Sequence, residues 1–441
     1  MIDFLAALSD NPLYWLAMAF LAGFPVAVAA LVVNGSRNLL IDRSREVTEG
    51  YFPHREHLER ARERWPLVTV IVPARDEEAT ITETIAGILD IDWPELEVIV
   101  VDDGSKDATA KQLEAFATNK SVRVFTHQEP RGKSESLNEG FQAATSEIVL
   151  IMDADAAPAP NVLNRMVPYF IQHGDIAAVT GNPRVVNASG LWGKLQAIEF
   201  TSTISALRRG QSAWGRINTI SGVLSVLRRD VVIGLGGFSP VHPTEDIELT
   251  WRLHRAGYRC IYEPAALVAM RVPETMSQWW HQRYRWSSGL VRVLQAHGFG
   301  LIKERRWPMF PLLLEGTLSI IWCHLLFLAT MLWITALVVG GPTLGNSLII
   351  SHWGSMTIGI ALVQIFWGIH LDSNHDKTIG KLWPLAPIYP ILYWWAEAFV
   401  VVAATLPTLL TKPRRVSWTL SRTRGEVASS RGALGGGLAE R

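Results

Sequence analysis

The chain has 441 residues, of which 49% are hydrophobic, so it is long enough for a domain of ordinary size together with a membrane portion. Lysine plus arginine and aspartate plus glutamate both number 41, so no charge excess points to nucleic acid or another strongly charged partner. The two cysteines, Cys260 and Cys323, lie far apart, which argues against a disulfide and against a cysteine-based metal site.

The first apolar segment runs from Leu13 to Val33, contains no charged residue, and can cross a hydrocarbon core of ~30 Å as a helix. Residues 1–12 carry no basic residue, which argues against a cleaved signal peptide. We therefore expect a transmembrane helix within residues 1–36. Residues 37–65 are rich in arginine, and the positive-inside rule predicts that they form a basic cytoplasmic linker.

Residues 66–275 alternate short β-branched runs with helical stretches. The runs are 68–72, 98–101, 122–125 and 148–152. Continuous apolar strands separated by helices indicate an α/β fold with a mainly parallel sheet. Ligands of such sheets bind beyond the carboxyl ends of the strands, where this sequence places polar clusters at 73–78, 102–105 and 153–155.

Residues 276–307 are basic, rich in tryptophan and amphipathic, which suits helices on a membrane surface. Apolar segments follow at 316–339, 347–371 and 382–410, and the last contains four prolines, so a broken or re-entrant helix is an alternative to a crossing. Three crossings within 308–411 would place the tail outside, yet residues 412–441 begin with a basic stretch. Either 382–410 turns back within the membrane, or an additional short crossing lies between 308 and 340, and the sequence leaves this conflict open. The end of the tail is rich in glycine.

Two carboxylates, Asp153 and Asp155, follow the apolar run 148–152, at the edge of the sheet where ligands bind. Two hard oxygen ligands at this place suit Mg²⁺ or Mn²⁺ bridging a diphosphate. A helix cap before Pro158 and Pro160 is the alternative.

The strand 98–101 is followed by Asp102-Asp103-Gly104-Ser105, where one carboxylate can accept hydrogen bonds from a base or ribose. A solvated turn is the alternative. Glu77 is a second candidate for the base or ribose, and Lys133 is placed to meet a diphosphate as a point charge. Each of these two side chains could instead be an ordinary surface residue without a ligand.

Thr244-Glu245-Asp246 opens a helical run. Transfer of a group to a hydroxyl requires a base on the acceptor oxygen, and Asp246, with Glu245 beside it, is the candidate. Capping of the helix by Thr244 is a compatible alternative.

Gln282, Arg285 and Trp286 have the spacing i, i+3 and i+4, so they share one face of a helix. An aromatic ring can stack on a sugar, and a guanidinium can pair bidentately with phosphate oxygens. An interfacial helix without a catalytic part would look similar.

The ordered set of motifs at 73–78, 102–105, 153–155, 244–246 and 282–286 resembles the processive branch of the family 2 glycosyltransferases. That resemblance implies a Rossmann-like, glycosyltransferase A-type, inverting domain that uses a UDP-sugar and Mg²⁺ or Mn²⁺. The connecting stretches 178–184, 191–196, 221–223, 272–275 and 412–418 look like those of the poly-β-1,6-N-acetylglucosamine synthases of bacterial biofilms.

The resemblance also assigns roles to single residues. One group of residues would bind the nucleotide-sugar, and a second group would bind the acceptor end and the diphosphate. Carboxylates would bind the acceptor hydroxyl and the metal. The residues are Ala74, Glu77, Asp103, Lys133 and Asp153 for the nucleotide-sugar; Gln282, Arg285 and Trp286 for the acceptor end and diphosphate; Asp246 with Glu245 for the acceptor hydroxyl; and Asp155 for the metal.

The resemblance further implies a multi-pass protein of the bacterial inner membrane with a cytoplasmic catalytic domain. Its partners would be the UDP-sugar donor, the growing polysaccharide and membrane lipid, but no nucleic acid. One helix instead of two precedes the domain, which leaves a small membrane partner subunit open.

Alternatives are a synthase of the chitin, hyaluronan or cellulose type and a non-processive transferase acting on a lipid carrier, which would be expected to lack the 282–286 motif. A transporter or scaffold that only binds nucleotide is a third, and it would need no base such as Asp246.

Overall fold

The structure is a computed structural model that describes residues 11–48, 65–213, 215–339, 352–373, 375–376 and 378–416. Among these residues, an eight-stranded sheet forms the centre of the domain that follows residue 65. Its strands are β1 (Val68–Ala74), β2 (Leu96–Asp102), β3 (Val122–Thr126), β4 (Ile148–Met152), β5 (Ala157–Pro158), β6 (Ile176–Val185), β7 (Leu224–Arg228) and β8 (Arg259–Met270). Their spatial order is β3-β2-β1-β4-β7-β6-β8-β5.

Strands β1 to β4 coincide with the predicted runs, and the β1–β2, β1–β4, β2–β3 and β6–β8 pairs are parallel. The β4–β7, β6–β7 and β5–β8 pairs are antiparallel. The expected α/β fold with a mainly parallel sheet is therefore confirmed. Because β1 lies between β2 and β4, the strand order reverses there, and a ligand crevice is expected beyond its carboxyl end.

Both faces of the sheet are covered, which explains why its central strands are continuously apolar. In β4, Leu150 faces one core cluster and Ile151 faces the other, because successive side chains of a strand point to opposite faces. The first cluster includes Ile85, and the second includes Phe141 and Leu249, all from helices that flank the sheet.

The helices in the described ranges are α1 (Pro12–Thr48), α2 (Ile81–Leu89), α3 (Thr109–Leu113), α4 (Lys133–Ala143), α5 (Val162–Met166), α6 (Pro168–Gln172), α7 (Leu191–Glu199), α8 (Ala206–Ser212), α9 (Arg229–Gly234), α10 (Glu245–Arg255), α11 (Met276–Lys303), α12 (Phe310–Val338), α13 (His352–Asp372) and α14 (Trp394–Leu410). Short 3-10 segments lie at Glu114–Phe116, Trp307–Met309 and Ile379–Leu385, and π-helical segments at Phe200–Ser205 and Tyr389–Tyr393. The π-helical segments continue α7 into α8 and lead into α14.

Within the described ranges, four helices are long and apolar enough to cross a membrane, and they match the predicted apolar segments. They are Pro12–Ser36, Trp307–Val338, Ser355–Asp372 and Tyr389–Leu410. Helix α1 continues past the expected boundary at residue 36 to Thr48, and the rest of the predicted linker up to residue 64 lies outside the described residues. The tail beyond residue 416 also lies outside them.

The segment from α7 to α8 leaves the sheet and packs against the apolar helices, although the sequence placed it within the 66–275 domain. A Cβ added to Gly35 of α1 would lie 2.5 Å from the Cα of Gly210 in α8, so these two backbones are in direct contact. A Cβ added to Gly368 of α13 would lie equally close to the Cα of Ser202, at 2.5 Å. Residues 191–212 therefore connect the sheet domain to two of the apolar helices.

Helix α14 lies along α11 over most of its length. At one end Trp279 of α11 donates a hydrogen bond of 2.8 Å to Tyr393, and at the other Arg292 of α11 donates one of 2.7 Å to the carbonyl of Thr411. Helix α11 itself packs at its carboxyl end against Trp251 of α10, within the sheet domain. Both ends of α14 therefore lie on the side of the sheet domain.

Candidate active site

The carboxyl ends of β1 and β2 are locked together at the crevice. Ala74 pairs with Asp102 in the sheet, and the backbone N–H of Asp103 donates a hydrogen bond of 2.8 Å to the carbonyl of Ala74. Oδ1 of Asp102 accepts hydrogen bonds from Ser105, whereas its buried Oδ2 has no partner within the described residues. Buried carboxylate oxygens normally have partners, so this atom marks a place for a ligand group.

Asp103 is completely buried and holds the loop that leads into α4. Its carboxylate accepts hydrogen bonds from the backbone N–H groups of Arg131, at 2.7 Å, and Gly132, at 2.8 Å. The predicted contact between Asp103 and the nucleotide stays a prediction, and the structure gives the residue a second task, which is to position this loop.

His127 extends the same network. Its Nδ1 lies 2.7 Å from Asp103, and its Nε2 lies 2.6 Å from Glu139. Burial opposes the imidazolium, but the hydrogen bonds to Asp103 and Glu139 outweigh it and raise the pKa of His127.

Glu77 lies in a second loop at this edge, directly before α2. Its backbone N–H donates to the hydroxyl of Thr109 at 2.8 Å, and its carboxylate accepts from Thr80 at 3.0 Å. Neighbouring Asp76 has a left-handed backbone with φ of 53° and accepts a hydrogen bond from the N–H of Lys106. The structure therefore places Ala74, Glu77 and Asp103 around the ends of adjacent strands.

Lys133 begins α4 after Gly132, whose φ of 100° lies in the left-handed region that glycine adopts without strain. The Lys133 Nζ lies 2.6 Å from Oδ1 of Asp153 and 3.5 Å from Oε1 of Glu245. Burial disfavours the ammonium, but the charges of these carboxylates outweigh it and raise the pKa of Lys133 above its usual range.

Asp153 and Asp155 are both nearly buried in the loop after β4. The hydroxyl of Thr84 in α2 donates a hydrogen bond of 2.8 Å to the carbonyl of Ala154, which fixes the loop between them. Within the described residues, no group of three His, Cys, Asp or Glu side chains is arranged to hold a metal. A pair of carboxylates nevertheless fits Mg²⁺ or Mn²⁺, because such ions usually take their other ligands from phosphate and water.

Asp246 lies in the first turn of α10, close to Lys133 and Glu245. Its Oδ1 accepts from the N–H of Ile247 at 2.9 Å, and its Oδ2 accepts from the N–H of Gly222 at 3.2 Å. Burial and the charge of Glu245 raise the pKa of Asp246 to about 6, against the opposing charges of Lys133 and Arg285. A carboxylate with such a pKa is suited to remove a proton near neutral pH.

The expected helix cap at Thr244 is only partly realised. Thr244 occupies the N-cap position of α10, but its side chain makes no capping hydrogen bond, and its hydroxyl is buried without a partner in the described part of the chain. The start of α10 instead contains Glu245, Asp246 and Glu248, whose charges favour the positive end of the helix.

The predicted face of Gln282, Arg285 and Trp286 lies on α11, as the spacing indicated. Arg285 donates a hydrogen bond of 3.0 Å to the carbonyl of Pro243, which ties α11 to the loop before Asp246. The buried Oε1 of Gln282 has no partner among the residues described.

Trp286 packs edge to face on Phe200, with ring centroids 6.4 Å apart, and belongs to an apolar cluster with Met270 and Val272. The structure therefore places the ring at the junction of the sheet domain and residues 191–212, in the same cluster as Val223, whose neighbour Gly222 donates to Asp246.

Sequence reasoning missed the residues that hold this ring. The guanidinium of Arg283 lies 4.2 Å from the centroid of Trp286 and forms a buried ion pair with Glu199, with N···O distances of 2.9 and 2.6 Å. Glu199 also accepts from Tyr393 at 2.7 Å, and Glu397 lies 3.8 Å from Arg283. Arg283 is part of the quoted motif, but its partners are distant in sequence and no local spacing reveals them.

Comparison with known proteins agrees with this geometry. Residues 66–289 match the family described as glycosyltransferase like family 2. The chain is 34% identical over 368 residues to a poly-β-1,6-N-acetyl-D-glucosamine synthase of Staphylococcus epidermidis, covering 82% of this chain and 88% of that protein. It is 33% identical over 362 residues to the synthase of the same name from Staphylococcus aureus strain COL, with the same coverage of 82% and 88%.

A solved structure, the mannosyltransferase PcManGT of Pyrobaculum calidifontis in complex with GDP-Man and Mn²⁺, has a TM-score of 0.57 and 22% identity. The similarity covers 88% of this chain and 99% of that one, and it confirms the glycosyltransferase A-type fold. With a family match across the sheet domain and relatives above 30% identity over most of the chain, this protein is an enzyme that belongs to the family 2 glycosyltransferases.

Proposed function

We propose that this enzyme polymerises N-acetylglucosamine from UDP-N-acetylglucosamine into a β-1,6-linked polysaccharide and moves the chain across the membrane as it grows. The structural observation that carries the transfer reaction is the meeting of Asp246, Lys133 and Arg285 beside Trp286. The choice of sugar and linkage rests on the names of the two staphylococcal relatives.

In the proposed reaction, Oδ2 of Asp246 accepts the proton of the acceptor 6-hydroxyl, and the hydroxyl oxygen forms a bond to C1 of the donor sugar. The bond between C1 and the UDP oxygen breaks at the same time, and the electron pair leaves with UDP. A single displacement inverts the anomeric carbon, so an α-linked donor yields a β-linked product. Lys133 and Arg285, whose charges act on Asp246, are proposed to stabilise the departing diphosphate.

Ala74, Glu77, Asp103 and Asp153 are proposed to surround the nucleotide-sugar because they lie at the ends of β1, β2 and β4, where the strand order reverses. Asp155 is proposed to hold Mg²⁺ or Mn²⁺, which would neutralise the charge that builds on the diphosphate. Gln282 and Trp286 are proposed to bind the acceptor end, with the Trp286 ring against a sugar face.

The membrane arrangement follows from α14. Because both of its ends contact α11, we infer that Tyr389–Leu410 lies at the membrane surface and that α1, α12 and α13 make the crossings. With the sheet domain in the cytoplasm of a bacterial cell, the N-terminus is outside and the tail inside. The basic residues after residue 411 then obey the positive-inside rule, which removes the conflict noted in the sequence.

The contact of the tail with the sheet domain supports this arrangement. The N–H of Val416 donates a hydrogen bond of 2.8 Å to the carbonyl of Pro240, and Arg415 lies 3.0 Å from Glu135. A small partner subunit stays an open prediction of the sequence.

The test uses purified enzyme in nanodiscs with UDP-N-acetylglucosamine and Mg²⁺ or Mn²⁺. We expect release of UDP and a polymer that a β-1,6-hexosaminidase degrades. A product cut only by chitinase, hyaluronidase or cellulase would instead assign the enzyme to another polysaccharide. A single sugar added to a lipid carrier would contradict polymerisation.

A further inference from the structure

Three buried arginines lie where residues 191–212 meet the sheet and α13, and two of them are paired. Arg184 of β6 lies 2.7 Å from Asp372 and 3.1 Å from Asp376, and Arg209 of α8 pairs with the other oxygen of Asp372 at 2.5 Å. Asp372 is completely buried, so this ion network is part of the structure that joins α13 to the sheet domain.

The third arginine, Arg208, has no such carboxylate among the residues that the structure describes. Its side chain is nine-tenths buried, with 7% of its surface exposed, yet its Nε and Nη1 have no hydrogen-bond partner within the described ranges. Its guanidinium carbon lies 6.0 Å from the centroid of Tyr262, whose hydroxyl is engaged with Ser205 at 2.8 Å. Unsatisfied buried charge is strongly unfavourable, so its presence at a site indicates a ligand.

The place of Arg208 identifies the side of the active site that it serves. Burial lowers the pKa of its guanidinium, and the charges of Tyr262 and Asp246 oppose this effect. Gly222 donates a hydrogen bond to Asp246, and the next residue, Val223, packs in the same apolar cluster as Trp286 and Ile204, which lies four residues before Arg208. This packing places α8 on the Trp286 side of Asp246.

The surroundings on that side are apolar and suit a sugar ring. Ile204, four residues before Arg208, packs with Phe200, Val223 and Trp286 in the cluster beside Asp246. Aromatic and aliphatic walls bind the C–H faces of sugars, while a guanidinium donates hydrogen bonds to carbonyl and hydroxyl oxygens. A neutral sugar with an exocyclic carbonyl group would satisfy both parts of this site.

We propose that Arg208 binds the terminal sugar of the acceptor chain through its acetamido carbonyl oxygen and thereby selects an N-acetylated acceptor. This inference rests on the proposed function, since it assigns the acceptor subsite of the same reaction. De-N-acetylated chains carry ammonium groups instead of the carbonyl, so Arg208 repels them.

The test compares Arg208→Met with wild type in nanodiscs. Binding of an N-acetylated and of a de-N-acetylated β-1,6-linked glucosamine pentasaccharide is measured by tryptophan fluorescence, and KM is measured separately for pentasaccharide and for UDP-N-acetylglucosamine. We expect Arg208→Met to weaken binding of the acetylated chain by about ten- to a hundredfold, the effect of losing a charge-assisted hydrogen bond. Preference for the acetylated chain should fall, and KM for the donor should change less than about twofold.

Matched control variants distinguish an effect on acceptor binding from an effect on the stability of the fold. Arg209→Met removes the neighbouring but paired guanidinium, so its melting temperature should fall, whereas that of Arg208→Met should equal or exceed the wild-type value. Arg165→Met, on the surface of α5, should change none of these quantities. Arg208→Lys keeps the charge and should restore part of the acetylated-chain binding.

Unchanged oligosaccharide binding in Arg208→Met would overturn the proposal, as would a rise in KM for the donor alone. A lower melting temperature with unchanged binding would give Arg208 a purely structural role. Because binding is measured without turnover, a wild-type enzyme that releases no UDP would contradict the proposed function while the acceptor comparison still decides the role of Arg208.

Discussion

The Nζ of Lys133 lies 2.6 Å from Oδ1 of Asp153, so one partly buried ion pair joins the start of α4 to the loop after β4. The same Nζ lies 3.5 Å from Glu245 at the start of α10. Three separate parts of the chain therefore meet at one cation. This arrangement connects the proposed donor site to Asp246, whose pKa Lys133 lowers.

Asp246→Asn should reduce turnover by roughly 10²–10⁴-fold, the usual contribution of a general base, and leave UDP affinity almost unchanged. Turnover is followed by UDP release and affinity by calorimetry. Asp230→Asn, at a surface carboxylate with 80% of its side chain exposed, is the matched control and should behave as wild type. Equal losses of turnover and UDP affinity would show that Asp246 belongs to the donor site.

The pH dependence of kcat/KM should report the same carboxylate. Asp246 must be ionised to accept a proton, and its pKa is raised to about 6, so the rate should fall as the pH drops through this value. The acid limb should disappear in Asp246→Asn together with most of the activity. An unchanged rate at a pH one unit below the pKa would contradict the assigned role.

Lys133→Met should weaken UDP binding by about ten- to a hundredfold, because a cation near the diphosphate is lost. It should also move the acid limb of kcat/KM to higher pH, since Lys133 lowers the pKa of Asp246. Lys120→Met, on the exposed surface, serves as the control. An acid limb at the same pH as in the wild type would mean that Lys133 does not affect the pKa of Asp246.

Metal dependence should be carried by Asp155. A chelator should abolish turnover, and added Mg²⁺ or Mn²⁺ should restore it. Asp155→Asn should raise the metal concentration for half-maximal turnover at least about tenfold, whereas Asp175→Asn at the surface should not. Full turnover of the wild type in chelator would rule out a metal role for Asp155.

The Arg283–Glu199 ion pair should matter for stability and for the placement of Trp286. Both side chains are about 95% buried, so Glu199→Gln should lower the free energy of unfolding by about 3–5 kcal/mol. Asp175→Asn breaks the exposed Asp175–Arg259 pair and should lower it by less than about 1 kcal/mol. Thermal unfolding in detergent measures both, and equal effects would contradict the burial of the Arg283 pair.

Membrane topology is testable with single cysteines in a Cys323→Ser background, where Cys260 is buried. Val338→Cys, at the exposed end of α12, should react with an impermeant maleimide added to intact spheroplasts. Lys412→Cys, after α14, and Lys120→Cys, on the sheet domain, should react only after permeabilisation. Labelling of Lys412→Cys in intact spheroplasts would make α14 a membrane crossing.

Much of this molecule is readable from local patterns. Three features depend only on spacing along short stretches of the chain. They are the apolar runs of β1 to β4, the polar residues after each strand, and the helical face of Gln282, Arg285 and Trp286. The periodicity of apolar side chains and the alternation of strands and helices are local properties, so they can be recognised in the sequence alone. The order of the motifs added the family and the chemistry.

Ion pairs between residues that are far apart in the chain could be identified only from the tertiary structure. Arg208 and Arg209 are adjacent and chemically identical, yet packing of α8 against α13 gives Arg209 the carboxylate of Asp372. Nε and Nη1 of Arg208 have no hydrogen-bond partner in the part of the chain that the structure describes. Arg283 likewise finds Glu199, which is 84 residues away.

The sequence could not predict whether α14 crosses the membrane or lies on its surface. An apolar helix of this length has a composition that fits either arrangement. By itself, the sequence determined which segments are strands and apolar helices and which side chains stand at the crevice. Only the tertiary structure decided which charges are paired and where the fourth apolar helix lies, because burial and pairing depend on what the rest of the chain brings to each site.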